Sequence, residues 1–138
     1  MIAPPDVMPL LLDACPSFAS RWAAAETDNL YEDEATAPRR LHYMDAGDFV
    51  QHVVQLRLDG DTSTFPAIFD VIERLLVEGD AYVRNLGTIG YVEGFQMLVV
   101  TAAGLDAERD FRPWLRPESE RAWAQLNEFW TGRATPSD

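Results

Sequence analysis

The chain has 138 residues and a mass of 15.5 kDa, about the size of one domain. It carries 23 acidic residues against 11 basic ones, all of them arginine, for a net charge of −12. An excess of this kind argues against a grip on nucleic acid or anionic lipid, since both need a basic face. A single cysteine, Cys15, excludes an internal disulfide framework and a cysteine-rich metal site.

Met1 to Phe18 has no basic start, and its apolar run, Met8 to Leu12, is interrupted by Pro9 and closed by Asp13. Neither a signal peptide nor a membrane span is expected, and a cytoplasmic protein with a reduced thiol is the simplest expectation. A first helix is predicted from Asp6 to Ala14, stopped by Cys15-Pro16. A second runs from Pro16 to Thr27, with Phe18, Trp22 and Ala25 at helical spacing. The polar stretch Asp28 to Arg40, which contains Pro38, is expected as the longest loop.

A third helix is predicted over Ala46 to Leu58, with Asp45 as N-cap, Asp48 in the first turn and Gly60 at C′. A fourth spans Phe65 to Glu78, opened by Thr64 and Pro66 and closed by Gly79. Its residues Ile68, Phe69, Ile72, Leu75 and Leu76 form one apolar face, and Asp70 and Arg74 are spaced for an i,i+4 pair opposite. The fifth runs from the Asp80 N-cap to about Ala103, with Gly104 beyond. At about 100° per residue its face holds Tyr82, Val83, Leu86, Ile89, Gly90, Met97 and Val100. Its second half is apolar nearly all round, as in a central helix. A short piece near Ala107 to Phe111 and a last helix from Pro117 to Trp130, with Trp123, Leu126, Phe129 and Trp130 on one side, complete the set. Nothing alternates with period two. The expected fold class is all-α: a single-domain bundle, or a short stack of antiparallel helical hairpins, of about six or seven helices. Residues 1–132 form the expected domain, and residues 133–138 a flexible tail.

Chemistry-bearing residues are few. Asp45, Asp48 and His52 fall near one helical face, but acid at a helix start is ordinary and no Glu-x-x-His pair accompanies them. The Asp59–Ser63 segment starts like a calcium loop but lacks the glycine and the final glutamate. Gly87, Gly90 and Gly94 cost about 1 kcal/mol each in a helix, so close helix–helix approach is expected to offset them. Cys15 has no nucleophile signature and reads as an idle thiol. No metal and no cofactor are expected. Glu93 lies mid-face among apolar residues. It reads first as a buried structural anchor to an arginine or a helix N-terminus, with a catalytic or ligand-binding acid as the alternative.

Glu26, Asp28, Glu32, Asp33 and Glu34 put five carboxylates in nine residues, with Leu30 and Tyr31 inside the cluster. Acid around an aromatic anchor is how an interface joins steering to a hot spot. A solvated loop would look the same.

Two stretches carry a resemblance. FPAIFDVIERLLVEGDAYVRNLGTIGYVEGFQ (Phe65 to Gln96) resembles an "IFxxIExLLxxGDxxVxNLxxxGxxExLQ" run, and WLRPESERAWAQLNEFW (Trp114 to Trp130) resembles the same family's last helix. The family comprises small bacterial all-helical proteins of unknown function, loosely similar to immunity proteins of bacterial toxin systems. Ile72, Glu73, Gly79, Asp80, Asn85, Gly90, Glu93 and Gln96 are the matching positions, and Asn85 and Gln96 join Glu93 as expected buried structural polar groups. The functional expectation is a non-enzymatic acidic binding protein that occludes a basic protein partner, such as a nuclease toxin. Alternatives are a small-molecule-binding or enzymatic domain around Glu93, with a pocket lined by Tyr82 and Met97, and a homo-oligomeric scaffold with Trp114, Trp123 and Trp130 on its face. Oligomeric state is not readable from the sequence.

Overall fold

The structure, a computed structural model, describes residues 1–25, 30–33, 36–98 and 104–131; residues 25, 30–33, 36–40 and 98 are described by backbone alone. The element order is α1 (Pro4–Ala14), a 3₁₀ turn (Pro16–Phe18), α2 (Ala19–Ala25), β1 (Leu30–Asp33), β2 (Thr36–Arg40), α3 (His42–Leu58) and α4 (Phe65–Glu78). Then come α5 (Ala81–Asn85), a π-helical stretch (Leu86–Val92), α6 (Glu93–Leu98), α7 (Ala107–Asp110), a second 3₁₀ turn (Arg112–Trp114) and α8 (Pro117–Trp130). The core is all-α, as the periodicity implies. Among the described residues, no helix is long and apolar enough to cross a membrane.

The two strands are a departure from the expected loop. β1 pairs antiparallel with β2, Leu30 opposite Arg40 and Tyr31 opposite Arg39, with a register break between Tyr31 and Asp33. Strands of four and five residues, LYED and TAPRR, are too short and too polar to alternate. In a two-stranded sheet every strand is an edge, which is where Pro38 is tolerated. β2 ends at Arg40, so α3 begins at His42 rather than at Ala46. Asp45 is therefore inside the first turn, not an N-cap, and its side chain is buried.

α4 and α8 keep their predicted bounds. Both have proline in the first two positions, where a missing N–H costs nothing. α8 begins against α4: the Glu73 carboxylate accepts from the backbone N–H of Glu118 (2.8 Å) and of Ser119 (2.9 Å). An acid at a helix N-terminus satisfies orphan donors and meets the positive end of the helix dipole. The predicted Asp70–Arg74 pair does not form. Arg74 turns toward the C-terminus and donates to Glu78 from Nε (2.9 Å) and Nη2 (3.2 Å).

The core is aromatic at one end. Phe111 stacks on Phe95 (centroids 5.0 Å apart) and on Phe65 (6.0 Å), and Phe69 meets Phe95 at 5.2 Å. Such pairs add about 0.5–1.5 kcal/mol each beyond burial. Trp123 is fully buried and donates from Nε1 to Glu108 (2.7 Å), which fastens α8 to α7. At the other end the N-terminus is tied in: Ile2 N–H donates to the Glu78 carbonyl (2.8 Å) and Asp80 N–H donates to the Ile2 carbonyl (2.9 Å). Gly79, between these two bonds, is required by the tight passage from α4 into α5. A Cβ there would overlap the Leu75 carbonyl oxygen and lie 2.6 Å from Val83 Cγ1.

The π-helical stretch resets the central helix. The Glu93 N–H donates to the Thr88 carbonyl, five residues back rather than four. A wider turn has the effect of one inserted residue, so every later side chain moves round the axis. The buried set is Val83, Leu86, Gly87, Tyr91, Val92, Phe95 and Gln96, whereas Tyr82, Ile89 and Met97 of the predicted face are exposed. Three expected glycine contacts form. Cβ atoms would meet Leu76 Cδ2 at 2.9 Å from Gly87, Ala46 Cβ at 3.1 Å from Gly90, and Val50 Cγ2 at 3.2 Å from Gly94. Small residues let α3 and α4 approach the central helix this closely.

Candidate functional site

The hairpin hands directly into α3, and the first turn of α3 carries an exposed aromatic patch. Tyr43 and Met44 project to solvent, and Tyr82 and Ile89 join them from the central helix. The Tyr82 ring lies edge-on to Tyr43 (6.0 Å) and to His42 (5.8 Å). The Asn85 side-chain amide donates to the Tyr43 hydroxyl at 2.7 Å, which fixes that ring. Tyrosines with few rotamers and a polar tip are typical interface anchors. Asn85 is itself exposed, which corrects its expected burial. Sequence reasoning missed Tyr43, Met44 and Ile89 as surface groups. Tyr43 and Met44 lay in the expected lead-in to α3, and Ile89 was assigned to the buried face.

The predicted acidic segment bears on this patch through its backbone. Glu26, Asp28 and Glu34 lie outside the described residues, and Leu30, Tyr31, Glu32 and Asp33 are described by backbone only. Leu30 pairs with Arg40, which is two residues before the start of α3, so the strand carrying Leu30 and Tyr31 begins opposite the entry to α3.

Glu93 does not sit in the core. The π-stretch turns it to the edge of the buried face, where it is half-buried and accepts from Trp130 Nε1 at 3.2 Å. The partner is an indole, neither the arginine nor the helix N-terminus that its sequence position suggested. Since Tyr82 and Met97 are both exposed, they do not form a pocket wall beside it. Gln96 is buried as expected. Its amide donates to the Trp123 carbonyl and to Asn127 Oδ1, each at 3.2 Å, and among the described residues its carbonyl oxygen has no partner.

The other sequence candidates have structural partners. Asp48 lies 3.9 Å from Arg21, and His52 Nε2 is hydrogen-bonded to Ser17 Oγ at 2.8 Å with its ring against Phe18. Burial first, and then the positive charge of Arg21, hold the His52 pKa below its ordinary value. Asp61 accepts from the N–H and hydroxyl of Ser63 in the α3–α4 turn, with Gly60 at φ 79°. Cys15 is buried beside Ser17 and Thr64. Among the described residues, no three His, Cys, Asp or Glu side chains come together as a metal would need. Trp123 is wholly buried and Trp114 half-buried, so of the three tryptophans only Trp130 is offered to a second copy of the chain.

The positions that carried the resemblance now have physical roles: Glu73 caps α8, Asp80 caps α5 through Val83 N–H (2.8 Å), Gly79 permits the tight turn from α4 into α5, Gly90 permits the close approach of α3, and Gln96 ties α6 to α8. They define a way of packing helices rather than a chemistry. No curated protein and no solved structure matches the chain. A family described as a domain of unknown function, DUF7674, matches residues 8–131, nearly the whole chain. The chain, with its capped α8 and π-reset central helix, therefore belongs to the DUF7674 family.

Proposed function

We propose that this is a non-enzymatic acidic binding protein that occludes a basic protein partner, in the manner of a bacterial immunity protein acting on its toxin. The observation that carries this reading is the junction of an acidic, tyrosine-bearing strand with an exposed aromatic patch at the start of α3. Acid steers a basic partner and speeds encounter, while tyrosines hold it once docked.

The arginines support the same reading. Arg21, Arg57, Arg74, Arg109, Arg112 and Arg121 all lie in ion pairs with the chain's own carboxylates. A basic partner therefore meets little uncompensated like charge on these faces. Asp13, Asp59, Asp61, Asp70 and Glu128 remain exposed and outside those pairs.

A toxin encoded by the immediately adjacent gene is the expected partner. Coexpression with that toxin's catalytic domain should restore growth, and the purified pair should form a stable complex. Reversing Glu32, Asp33 and Glu34 to Arg should slow association, most clearly at low salt. Growth rescue without complex formation, or association indifferent to the reversal, would contradict the proposal.

A further inference from the structure

Two hollows meet the π-helical stretch. A cavity of about 260 Å³ lies between α1, α2, α3 and the stretch, and Trp22, His42 and Asp45 on its wall are already partnered within the protein. The second is a groove of about 180 Å³ where α8 lies against α4, α5 and the stretch. Its volume is comparable to the roughly 150 Å³ that admits benzene in an engineered core. Leu76 of α4 and Ala122 of α8, both half-buried, give it an apolar wall, and Arg84 and Arg121 line it from α5 and α8.

Arg84 is the informative residue. Its Nε donates to the Gly79 carbonyl at 2.8 Å, and its own carbonyl accepts from the Thr88 hydroxyl at 3.2 Å. Side chain and backbone are therefore both held in place. The far end of the guanidinium, Nη1 and Nη2, has no partner among the described residues, and Arg84 belongs to none of their ion pairs. A fork fixed before a ligand arrives loses little freedom on binding, and its planar pair of N–H donors matches a carboxylate. Arg121 donates from Nη1 to both carboxylate oxygens of Glu118, which compensates the acid that lines the groove among the described residues. Arg84 is left as the uncompensated charge, and it disfavours a cation there. The net charge of −12 acts from farther away, and salt screens it beyond about 8 Å.

We propose that this groove binds a small aliphatic carboxylate, its oxygens on Nη1 and Nη2 of Arg84 and its body against Leu76 and Ala122. The site goes beyond the partner reading, and its test needs no partner. Butyrate, butyramide and butylamine, three probes of one size, isolate the charge, and sulfate asks whether any oxyanion suffices. The readout is the NMR shift of the Leu76 and Ala122 methyls near neutral pH. Butyrate should move both saturably, with a Kd about tenfold below that of butyramide, because hydrogen bonds between charged groups are the stronger ones. Butylamine should move neither. Sulfate, which cannot use the apolar wall, should bind about tenfold more weakly than butyrate. Arg84→Gln should erase the preference for butyrate over butyramide. Gln125→Glu, an exposed change at the rim, should weaken butyrate and leave butyramide unaffected. The wild-type series and Gln125→Glu decide by themselves if Arg84→Gln does not fold. Equal binding of butyrate and butyramide, sulfate bound as tightly as butyrate, a preference that survives Arg84→Gln, or no saturable shift would overturn the proposal.

Discussion

Removing the Glu73 carboxylate should unfasten α8 from α4. Pro117, at the first position of α8, has no N–H to satisfy, and the next two donors both go to Glu73, at 2.8 and 2.9 Å. In Glu73→Ala, water can reach the N–H of half-buried Glu118. Ser119 is fully buried, so its N–H is left without a partner, at a cost of about 1–3 kcal/mol. Loss of negative charge at the helix start adds roughly 0.3–1 kcal/mol. The total, about 1.3–4 kcal/mol, is a large share of the stability of a chain this size. Glu73→Gln should cost about half as much, because one amide oxygen can still accept while the amide nitrogen faces a donor. Urea unfolding followed by tryptophan fluorescence measures this: the midpoint should fall with the slope unchanged. Glu78→Ala is the control, since it removes an exposed ion pair worth under about 1 kcal/mol. A Glu73→Ala variant within about 0.5 kcal/mol of wild type would refute the capping argument.

Asp110 gives a second test. It is buried, and its pKa is held at about 2 by hydrogen bonds from Arg109 and from the Asp106 N–H and by the charge of Arg57, all of which outweigh desolvation. Its contribution is complete well above the ordinary carboxylate pKa of 3.8 and is lost as pH falls from there toward about 2. Asp110→Asn should destabilise by about 1.5–3 kcal/mol near neutral pH, and the difference from wild type should shrink in acid titrations of stability. His52 behaves as a base whose folded pKa is depressed. The unfolded chain binds its proton first, so stability should decline as pH falls below about 6.5, and His52→Gln should flatten that part of the curve. Gly79→Ala should cost more than Gly87→Ala in thermal unfolding. At Gly79 the new methyl meets a backbone carbonyl, whereas at Gly87 it meets the movable end of Leu76.

The bounds of α4 and α8 were legible in the sequence because Pro66 and Pro117 mark helix starts in a purely local way. The three glycines of the central helix were legible as contact points for the same reason: each costs stability unless a neighbour approaches. What failed was the assumption of one constant angle per residue. A single π-helical stretch between Leu86 and Val92 carried Glu93 off the buried face and brought Tyr91 and Phe95 onto it. No residue type announces such a stretch, because it is set by packing against α3 and α4. The start of α3 was missed because it depends on where β2 ends, and β2 has too few residues to show alternation. The cavity between α1, α2, α3 and the π-helical stretch was illegible for a related reason. Asp45, Trp22, Met8 and Tyr91 are distant in the chain and meet only in the folded state.

The functional proposal rests on charge steering by the Glu26–Glu34 segment toward a basic partner held at Tyr43 and Tyr82. The most direct measurement is the association rate with the neighbouring gene's toxin domain across a salt series, for wild type and for Glu32→Arg/Asp33→Arg/Glu34→Arg. The account predicts fast association that slows steeply with salt in the wild type, and a slower, nearly salt-independent rate in the variant. Identical rates and identical salt dependence in the two proteins would contradict it.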